Sequence, residues 1–287
     1  MRWMSVASIP SPMMFAIYDW GMPLPKPSEG FRWVQAAAGP ALVCRALEPQ
    51  AAHLFTTRQW PLGTAGADEG VAAWSDVARA LDVDAAHLSR VHQVHGASVV
   101  VLRRGDPTSP PDDQLQDADV LVSNDPSRAL AIQTADCVPL LIADRRSKAV
   151  AAAHAGWRGL AAGVPGVAVR ALADAFGSQP GDLIAALGPS ISAPKYEVDA
   201  RVRSAFEAAG HSPANLGRWF ITAERKAHWY FDGWAAALDQ LAASGVPPDQ
   251  MFTSRLCTAS HPDILCSYRL DGTHAGRIAG AIRAREM

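Results

Sequence analysis

Residues 117–159 read DADVLVSNDPSRALAIQTADCVPLLIADRRSKAVAAAHAGWRG. It holds apolar runs at 119–123, 129–133, 139–143 and 149–154, with polar or charged residues between them. Runs of this length that are rich in Val, Ile, Leu and Ala are typical of buried β-strands. The stretch therefore predicts several strands in close succession.

The same pattern continues on both sides of residues 117–159. Further strand-like runs occur at 41–47, 98–102, 183–187 and 251–256. Helical spacing of apolar residues occurs at 71–81, at 164–176 with Pro165 in the first turn, and at 233–244 with Asp232 as N-cap. Strands thus cluster while helices come singly. This order predicts the α/β class, with one domain built on a mixed β-sheet flanked by helices.

Composition narrows the classes of partner. The 287 residues include 26 Lys and Arg against 28 Asp and Glu, a net charge of −2. Because phosphate backbones and membrane surfaces attract a basic excess, this balance predicts neither a nucleic-acid partner nor a membrane partner. Four cysteines exclude a disulfide scaffold and fit a reducing compartment, so we expect a cytoplasmic protein.

The N-terminal region differs from the rest. Residues 1–29 contain Pro10 and Pro12, which break the longest uncharged run, and they lack the features of a signal peptide. We expect a poorly ordered extension at 1–29, followed by a single catalytic domain at 30–287.

Three short segments carry most of the residues capable of chemistry. They read QVHG at 93–96, TADCVP at 134–139 and HAGWRG at 154–159, and each adjoins an apolar run. Polar groups at strand ends of mixed sheets gather into a crevice. The three segments therefore offer one cysteine and two histidines to a common site.

His95, Cys137 and His154 form a donor set that zinc accepts readily, with the fourth position left open for water or substrate. The intervals of 42 residues (95 to 137) and 17 residues (137 to 154) match no compact zinc-finger pattern. Spacing alone thus supports zinc only weakly. An alternative is a cysteine hydrolase with Cys137 as nucleophile, His154 as base and Asp136 as the residue that orients it. Only the metal site requires His95.

The same segments resemble those of the YfiH family, whose members have been called laccase-like multicopper polyphenol oxidases and purine nucleoside phosphorylases. The resemblance runs from about residue 31 to 282. It rests on LFTTR at 54–58, the three segments above, LGPSISAPKYEV at 187–198, CT at 257–258 and SYRLDG…GR at 267–277. The resemblance implies a single-domain α/β sandwich and a metal site made by His95, Cys137 and His154. Zn²⁺ is the implied ion, with copper as the alternative.

The resemblance also implies an activity on small molecules. Its substrates would be nucleosides and phosphate, with phosphorolysis of purine nucleosides including methylthioadenosine, and deamination of adenosine. Arg58 matches the family's Thr-Arg position and is a candidate for catalysis and substrate binding, because a guanidinium suits phosphate. Arg158 and Arg269 are further candidates for substrate binding. Asp136 and Cys137 are the other candidate catalytic residues, and the protein is expected to be a monomer or a small homo-oligomer.

A multicopper phenol oxidase and a non-catalytic binding protein are two further alternatives for the function. A multicopper phenol oxidase needs many histidines with H-x-H spacing, and none of the nine histidines here has that spacing. A non-catalytic binding protein is the other alternative. The stretches PLGTAGADEG and AWSDVARAL contain no Asn, although family members commonly carry Asn there.

Overall fold

The computed structural model describes residues 23–64, 71–110 and 114–286, without the side chains of 71–73. The described strands are β1 (Phe31–Ala36), β2 (Gly39–Cys44), β3 (Ala51–Phe55), β4 (Leu88–Ser89), β5 (Val99–Leu102), β6 (Val120–Ser123), β7 (Ala129–Thr134), β8 (Val138–Asp144), β9 (Val150–Ala155), β10 (Leu183–Leu187), β11 (Glu197–Asp199), β12 (Phe220–Thr222), β13 (His228–Phe231), β14 (Met251–Thr253) and β15 (Ile278–Ala284). The described helices are α1 (Val71–Ala80), α2 (Trp157–Ala161), α3 (Val164–Phe176), α4 (Ala200–Ala208), α5 (Pro213–Trp219), α6 (Gly233–Ala243) and α7 (Tyr268–Asp271).

Two six-stranded sheets form the centre of the fold. The first has the order β1-β2-β3-β15-β7-β4 and the second the order β14-β10-β8-β9-β6-β5, while β11-β13-β12 form a small third sheet. Most neighbours are antiparallel, but β4 with β7, β5 with β6 and β10 with β14 run parallel. Both large sheets are therefore mixed or contain a parallel edge, as the clustered strands predicted.

The sheets pack face to face because their central strands are apolar on both sides. In β8, Leu141 and Ala143 point to the core between the sheets, while Leu140 and Ile142 point to the core beneath the helices. Alternate residues of a strand face opposite sides of the sheet, so a strand buried on both faces becomes an unbroken apolar run. This explains why the stretch at 117–159 has little polar alternation within its strands.

Helices cover the outer faces of the two sheets. Helix α1 packs against the outside of the first sheet through Trp74 and Val77. Helices α3 and α6 pack against the outside of the second sheet, for example through Leu172 and Leu241. The result is a sandwich of two sheets between helical layers, which confirms the predicted fold class. No helix in the described part of the chain has the length and apolar character needed to cross a bilayer.

The predicted helices are confirmed in place. Pro165 lies in the first turn of α3, where its missing N–H costs nothing. The Asp232 carboxylate accepts the backbone N–H of Ala235 at 2.9 Å and caps α6. The predicted strand at 251–256 was too long, because β14 ends at Thr253.

The predicted boundary between an N-terminal extension and the domain at residue 30 falls only partly within the described residues. Residues 1–22 lie outside the described residues, so a poorly ordered extension there stays a prediction. The last residues of that span are attached to the domain: Ser28 donates from its backbone N–H to the Ser254 carbonyl at 3.0 Å and from its hydroxyl to the Thr253 carbonyl at 2.6 Å.

A neutral histidine is built into the first sheet. His53 in β3 is buried, and its Nε2 accepts the backbone N–H of Cys44 at 2.8 Å. The ring proton must then sit on Nδ1, which lies 3.2 Å from the carbonyl oxygen of Ala51. Burial lowers the pKa of His53 to about 4. The folded protein therefore keeps this ring neutral at pH values where an unfolded chain would protonate it.

We expect His53 to make stability pH-dependent. The pKa of His53 in the folded protein lies below the unfolded value of 6.5. The contribution of this residue to the free energy of unfolding is therefore fully present above pH 6.5 and is lost as the pH falls toward 4. The loss over this window is on the order of 3 kcal/mol. Urea unfolding of wild type and His53→Gln at several pH values should give a shallower slope for the variant. His274→Gln, at an exposed position, should keep the wild-type slope; equal slopes for wild type and His53→Gln would contradict the assignment.

Candidate metal centre and cavity

Two connections that pass from one sheet to the other bring the predicted donors together. His95 lies on the connection from β4 to β5, and Cys137 lies on the connection from β7 to β8. His154 lies on β9, where it pairs with Pro139 at the beginning of β8. Residues separated by 42 and 17 positions in the sequence thus meet because the chain changes sheet twice at the same end of the sandwich.

The donor atoms of His95, Cys137 and His154 all lie within 4.8 Å of one another. The two imidazole rings have centroids 4.8 Å apart and are nearly perpendicular, at 81°. Donors around a tetrahedral zinc lie roughly 3.4 Å apart, given bonds of about 2.0–2.3 Å. The trio therefore needs only small side-chain movements to surround an ion. Among the described residues it is the one group of three or more His, Cys, Asp or Glu side chains that could hold a metal.

Asp119 orients this donor set from behind. One carboxylate oxygen lies 2.7 Å from Nδ1 of His154, and the carboxylate also accepts the backbone N–H groups of His95 at 3.1 Å and Gly96 at 2.6 Å. The contact with Nδ1 leaves Nε2 of His154 free to bind a metal. Burial alone would raise the pKa of Asp119, but the hydrogen bonds from His154 and Gly96 outweigh it and hold the pKa below its usual value.

The cysteine and the buried histidine stabilise each other's charged forms. Burial alone would raise the pKa of the Cys137 thiol, but the neighbouring His154 and His95 lower it to about 6. Burial alone would lower the pKa of His154, but Cys137 and Asp119 raise it to about 9. A thiolate at this position suits a metal ligand, because the thiolate rather than the thiol binds metals.

The loop that carries His95 is held by Gln93. The Gln93 side chain donates to the backbone carbonyl of Gln133 and accepts the backbone N–H of the same residue, each at 2.8 Å. Gln133 lies in β7, just before the connection to Cys137. His95 itself has φ of 60°, a conformation that non-glycine residues adopt only when the surroundings hold them there. The residues between β4 and β5, which include His92 and His95, form a loop.

Gly156 leaves the space that the thiol occupies. A Cβ atom at this position would lie 2.8 Å from Sγ of Cys137 and 3.1 Å from Cδ2 of His95. The backbone of Gly156, with φ −70° and ψ 173°, suits any residue. Its side-chain hydrogen is therefore required by the donor set rather than by the turn into α2.

A cavity of about 900 Å³ opens beside the three donors. This volume lies within the range of small-molecule sites. Aromatic rings of Trp74, Trp157, Tyr196 and Tyr268 contribute to its wall. Four guanidinium groups also line it, those of Arg90, Arg158, Arg269 and Arg277. The cavity thus offers flat apolar surfaces together with positive charge.

The predicted arginines divide between the cavity and the surface. Arg158 and Arg269 line the cavity, with their guanidinium carbons 4.3 Å and 4.9 Å from the centroids of the Trp157 and Tyr196 rings. Arg58 does not line it. Its Nη2 forms an ion pair with Asp271 at 2.8 Å, and its Nε donates to the carbonyl of Leu265 at 3.2 Å.

Asp136 lines the cavity but does not contact either histidine ring. One of its carboxylate oxygens accepts the Thr258 hydroxyl at 2.5 Å, and the other accepts the backbone N–H of Arg269 at 2.6 Å. Its own carbonyl accepts the N–H of Ile191 at 2.9 Å. Asp136 therefore joins three segments around the cavity through its hydrogen bonds. The residue that orients His154 is Asp119.

Asp119, Gln93 and Arg277 were not among the site residues predicted from the sequence. Asp119 stands at the start of an apolar run and looks like a strand boundary. A signal existed nonetheless, since an acidic residue directly before the buried β6 must find a partner inside the fold.

Comparisons with known proteins agree with this geometry. Residues 64–285 match the family described as multi-copper polyphenol oxidoreductase laccase. The protein named purine nucleoside phosphorylase YfiH from Escherichia coli is 38% identical over 192 residues, which covers 67% of this chain and 72% of that protein. The chain belongs to the YfiH family. The resemblance seen in the sequence is thereby confirmed.

Further comparisons give the same result. A purine nucleoside phosphorylase from Bacteroides thetaiotaomicron is 37% identical over 170 residues, covering 59% of this chain and 62% of that protein, so the match leaves more than a third of that relative unaligned. The crystal structure of a hypothetical protein YfiH from Bacillus licheniformis superposes with a TM-score of 0.79 and 25% identity, covering 90% of this chain and all of that one.

Replacing Asp119 by Asn should weaken metal binding. The variant removes the negative charge and sets an amide against the N–H of Gly96 or the ring of His154. We expect zinc affinity to fall about 10- to 100-fold, as is common when the partner of a ligating histidine is lost. Competition with a chromogenic chelator measures this. Asp117→Asn, two residues away and exposed, is the matched control, and equal affinities for the two variants would refute the role of Asp119.

Gly156→Ala tests the space around the thiol. The added methyl group must displace Sγ of Cys137, so we expect less than one bound zinc per chain while the far-ultraviolet circular dichroism stays unchanged. Gly217→Ala, where a Cβ meets nothing within 4 Å, serves as the control. Full zinc content in Gly156→Ala would show that the donors do not need this space.

Proposed function

We propose that this protein is a zinc-dependent purine nucleoside phosphorylase. The observation that carries the proposal is one cavity in which the donors His95, Cys137 and His154 face a wall of aromatic rings and guanidinium groups. Relatives named purine nucleoside phosphorylase support the same substrate class. Nucleosides combine a flat base with a polar ribose, and phosphate requires positive charge, so both substrates suit this lining.

The reaction exchanges one bond at the ribose. An oxygen of phosphate bonds to C1′ while the bond from C1′ to the purine nitrogen breaks, and the bond's electron pair leaves with the base, which takes up a proton. The products are ribose 1-phosphate and the free purine. A zinc ion held by the three donors would supply a Lewis acid for a substrate oxygen.

The side chains of this chain would contribute binding and orientation. Trp157 and Tyr196 line the cavity, and their rings would offer apolar surface to a purine. Burial raises the pKa of Tyr196, so its hydroxyl stays protonated and remains a hydrogen-bond donor. The guanidinium groups of Arg158 and Arg269, which line the same cavity, would bind anionic or ribose oxygens. Arg58 would act only indirectly, by holding Asp271 at the end of α7.

A wider range of reactions belongs to the same proposal. Methylthioadenosine differs from adenosine only at C5′, so it is a further substrate for the same bond exchange. Deamination of adenosine needs a group that transfers protons near the base. Asp136 is the one carboxylate among the described residues that line the cavity, and it is our candidate for that task.

Two other functions make different demands on the site. A cysteine hydrolase would use Cys137 and His154, and the lowered pKa of Cys137 to about 6 favours it. In this chain Asp119 rather than Asp136 would orient the histidine. A multicopper oxidase needs several metal positions, whereas the described residues offer one group of donors.

An assay on purified protein with its bound metal separates these functions. We expect about one zinc per chain and release of hypoxanthine from inosine only when phosphate is present. Cys137→Ala and His95→Ala should each lose zinc and this activity together, while His87→Ala, outside the cavity, should keep both. A hydrolase would survive His95→Ala, and an oxidase would consume oxygen with a phenol. Zinc-loaded protein that leaves inosine and adenosine unchanged in phosphate would refute the proposal.

A further inference from the structure

The cavity has more positive charge than its own residues neutralise. Its described lining includes four guanidinium groups but one carboxylate, that of Asp136. Both oxygens of that carboxylate already accept hydrogen bonds, from the Thr258 hydroxyl and the backbone N–H of Arg269. A cavity with this imbalance attracts an anion.

Three of the four guanidinium groups have an aromatic partner. Arg90 lies over Trp74 at 4.5 Å, Arg158 over Trp157 at 4.3 Å and Arg269 over Tyr196 at 4.9 Å. Arg269 also donates from Nη1 to the carbonyl of Glu197 at 2.8 Å. These contacts offset part of the desolvation of each cation and restrict its movement.

Arg277 has weaker compensation. Its Nη1 reaches only the carbonyl oxygens of Ala275 at 3.4 Å and Gly276 at 3.3 Å, both long for a hydrogen bond. Its side chain is half-buried, and none of the described carboxylates forms an ion pair with it. Burial accordingly lowers the pKa of this guanidinium. A partly buried cation without an anionic partner gains from a bound anion.

The position of Arg277 is rigid and close to the donor set. It directly precedes β15, in which Ile278 pairs with Thr134 at the end of β7. That end of β7 leads through Ala135 and Asp136 to Cys137. On its other side, Gly276 forms a bridge with Thr64, and a Cβ at Gly276 would lie 2.9 Å from Sγ of Cys266. The backbone thus fixes the base of the Arg277 side chain at the wall next to the proposed reaction.

We propose that Arg277 is the principal residue that binds phosphate in this cavity. The inference rests on the proposed phosphorolysis and assigns the anion to one side chain. The planar fork of the guanidinium group can bind two phosphate oxygens at once. Phosphate held there shares the cavity with a nucleoside stacked on the aromatic wall. This assignment replaces Arg58, which the LFTTR resemblance singled out.

Binding of inorganic phosphate to the zinc-loaded full-length protein tests the inference directly. Isothermal titration with phosphate should show an affinity about 10- to 100-fold lower for Arg277→Gln than for wild type, as expected for loss of a charged hydrogen-bond pair. Arg277→Lys should recover part of it. Arg145→Gln, on a surface residue paired with Asp182, is the matched control and should bind like wild type. Zinc content and thermal melting show whether each variant is intact, and Arg277→Lys replaces the glutamine variant if that one does not fold.

Steady-state kinetics of the same variants provide a second, independent measurement. The KM for phosphate should rise with Arg277→Gln by a similar factor, while the KM for inosine and the zinc content stay near wild type. If phosphate affinity is unchanged in Arg277→Gln, or falls in Arg58→Gln instead, the inference is wrong even if phosphorolysis is present. If phosphate binds through Arg277 but no nucleoside is cleaved, the proposed function fails and the anion site stands. Absence of phosphate binding by wild type would overturn the inference.

Discussion

The hydrogen bonds of the Asp119 carboxylate are the interaction on which the site depends. A buried carboxylate is costly unless donors surround it, and here the donors are Nδ1 of His154 and two backbone N–H groups of the loop at His95. Satisfying this one charge therefore fixes both histidines with respect to each other. Because Asp119 directly precedes β6, a fully buried strand of the second sheet sets the position of the donors.

The carboxylate of Asp136 organises a different part of the site from that of Asp119. Asp136 bonds to Thr258, to the N–H of Arg269 and, through its carbonyl, to Ile191, so it joins the loops that form the far wall of the cavity. Cys137 follows it directly and is itself one of the three donors. Asp119 thus organises the metal side and Asp136 the substrate side of the same opening. Asp136 has a left-handed backbone conformation, with φ of 86°, at the point where the chain turns from one sheet to the other. Non-glycine residues adopt this conformation only at a cost in backbone strain.

The sequence predicted those parts of the fold that have a local signal. Strands β6 to β9 are long apolar runs, and α3 and α6 have helical spacing and N-terminal signals, so each was found close to its observed place. Strand β15 was missed although it lies inside the first sheet between β3 and β7. Its sequence IAGAIRA is rich in alanine and glycine, which favour no strand locally, and it is held by pairing with two distant partners. The donors were found from their residue types and the family resemblance. Asp119, Gln93 and Arg277 were not, because their roles arise from contacts with residues remote in sequence.

A single group of metal donors beside several arginines favours a transferase that acts on small molecules over an oxidase. Three donors at one point of the described structure could hold one ion, and the charged side chains that line the same cavity are mostly arginines. Electron transfer among several coppers would need other metal positions within reach, whereas guanidinium groups around a single ion repel more cations and attract phosphate. The family description refers to laccase chemistry, while the names of the relatives refer to nucleoside phosphorolysis. The charge of the cavity wall is the physical reason to prefer the second reading for this chain.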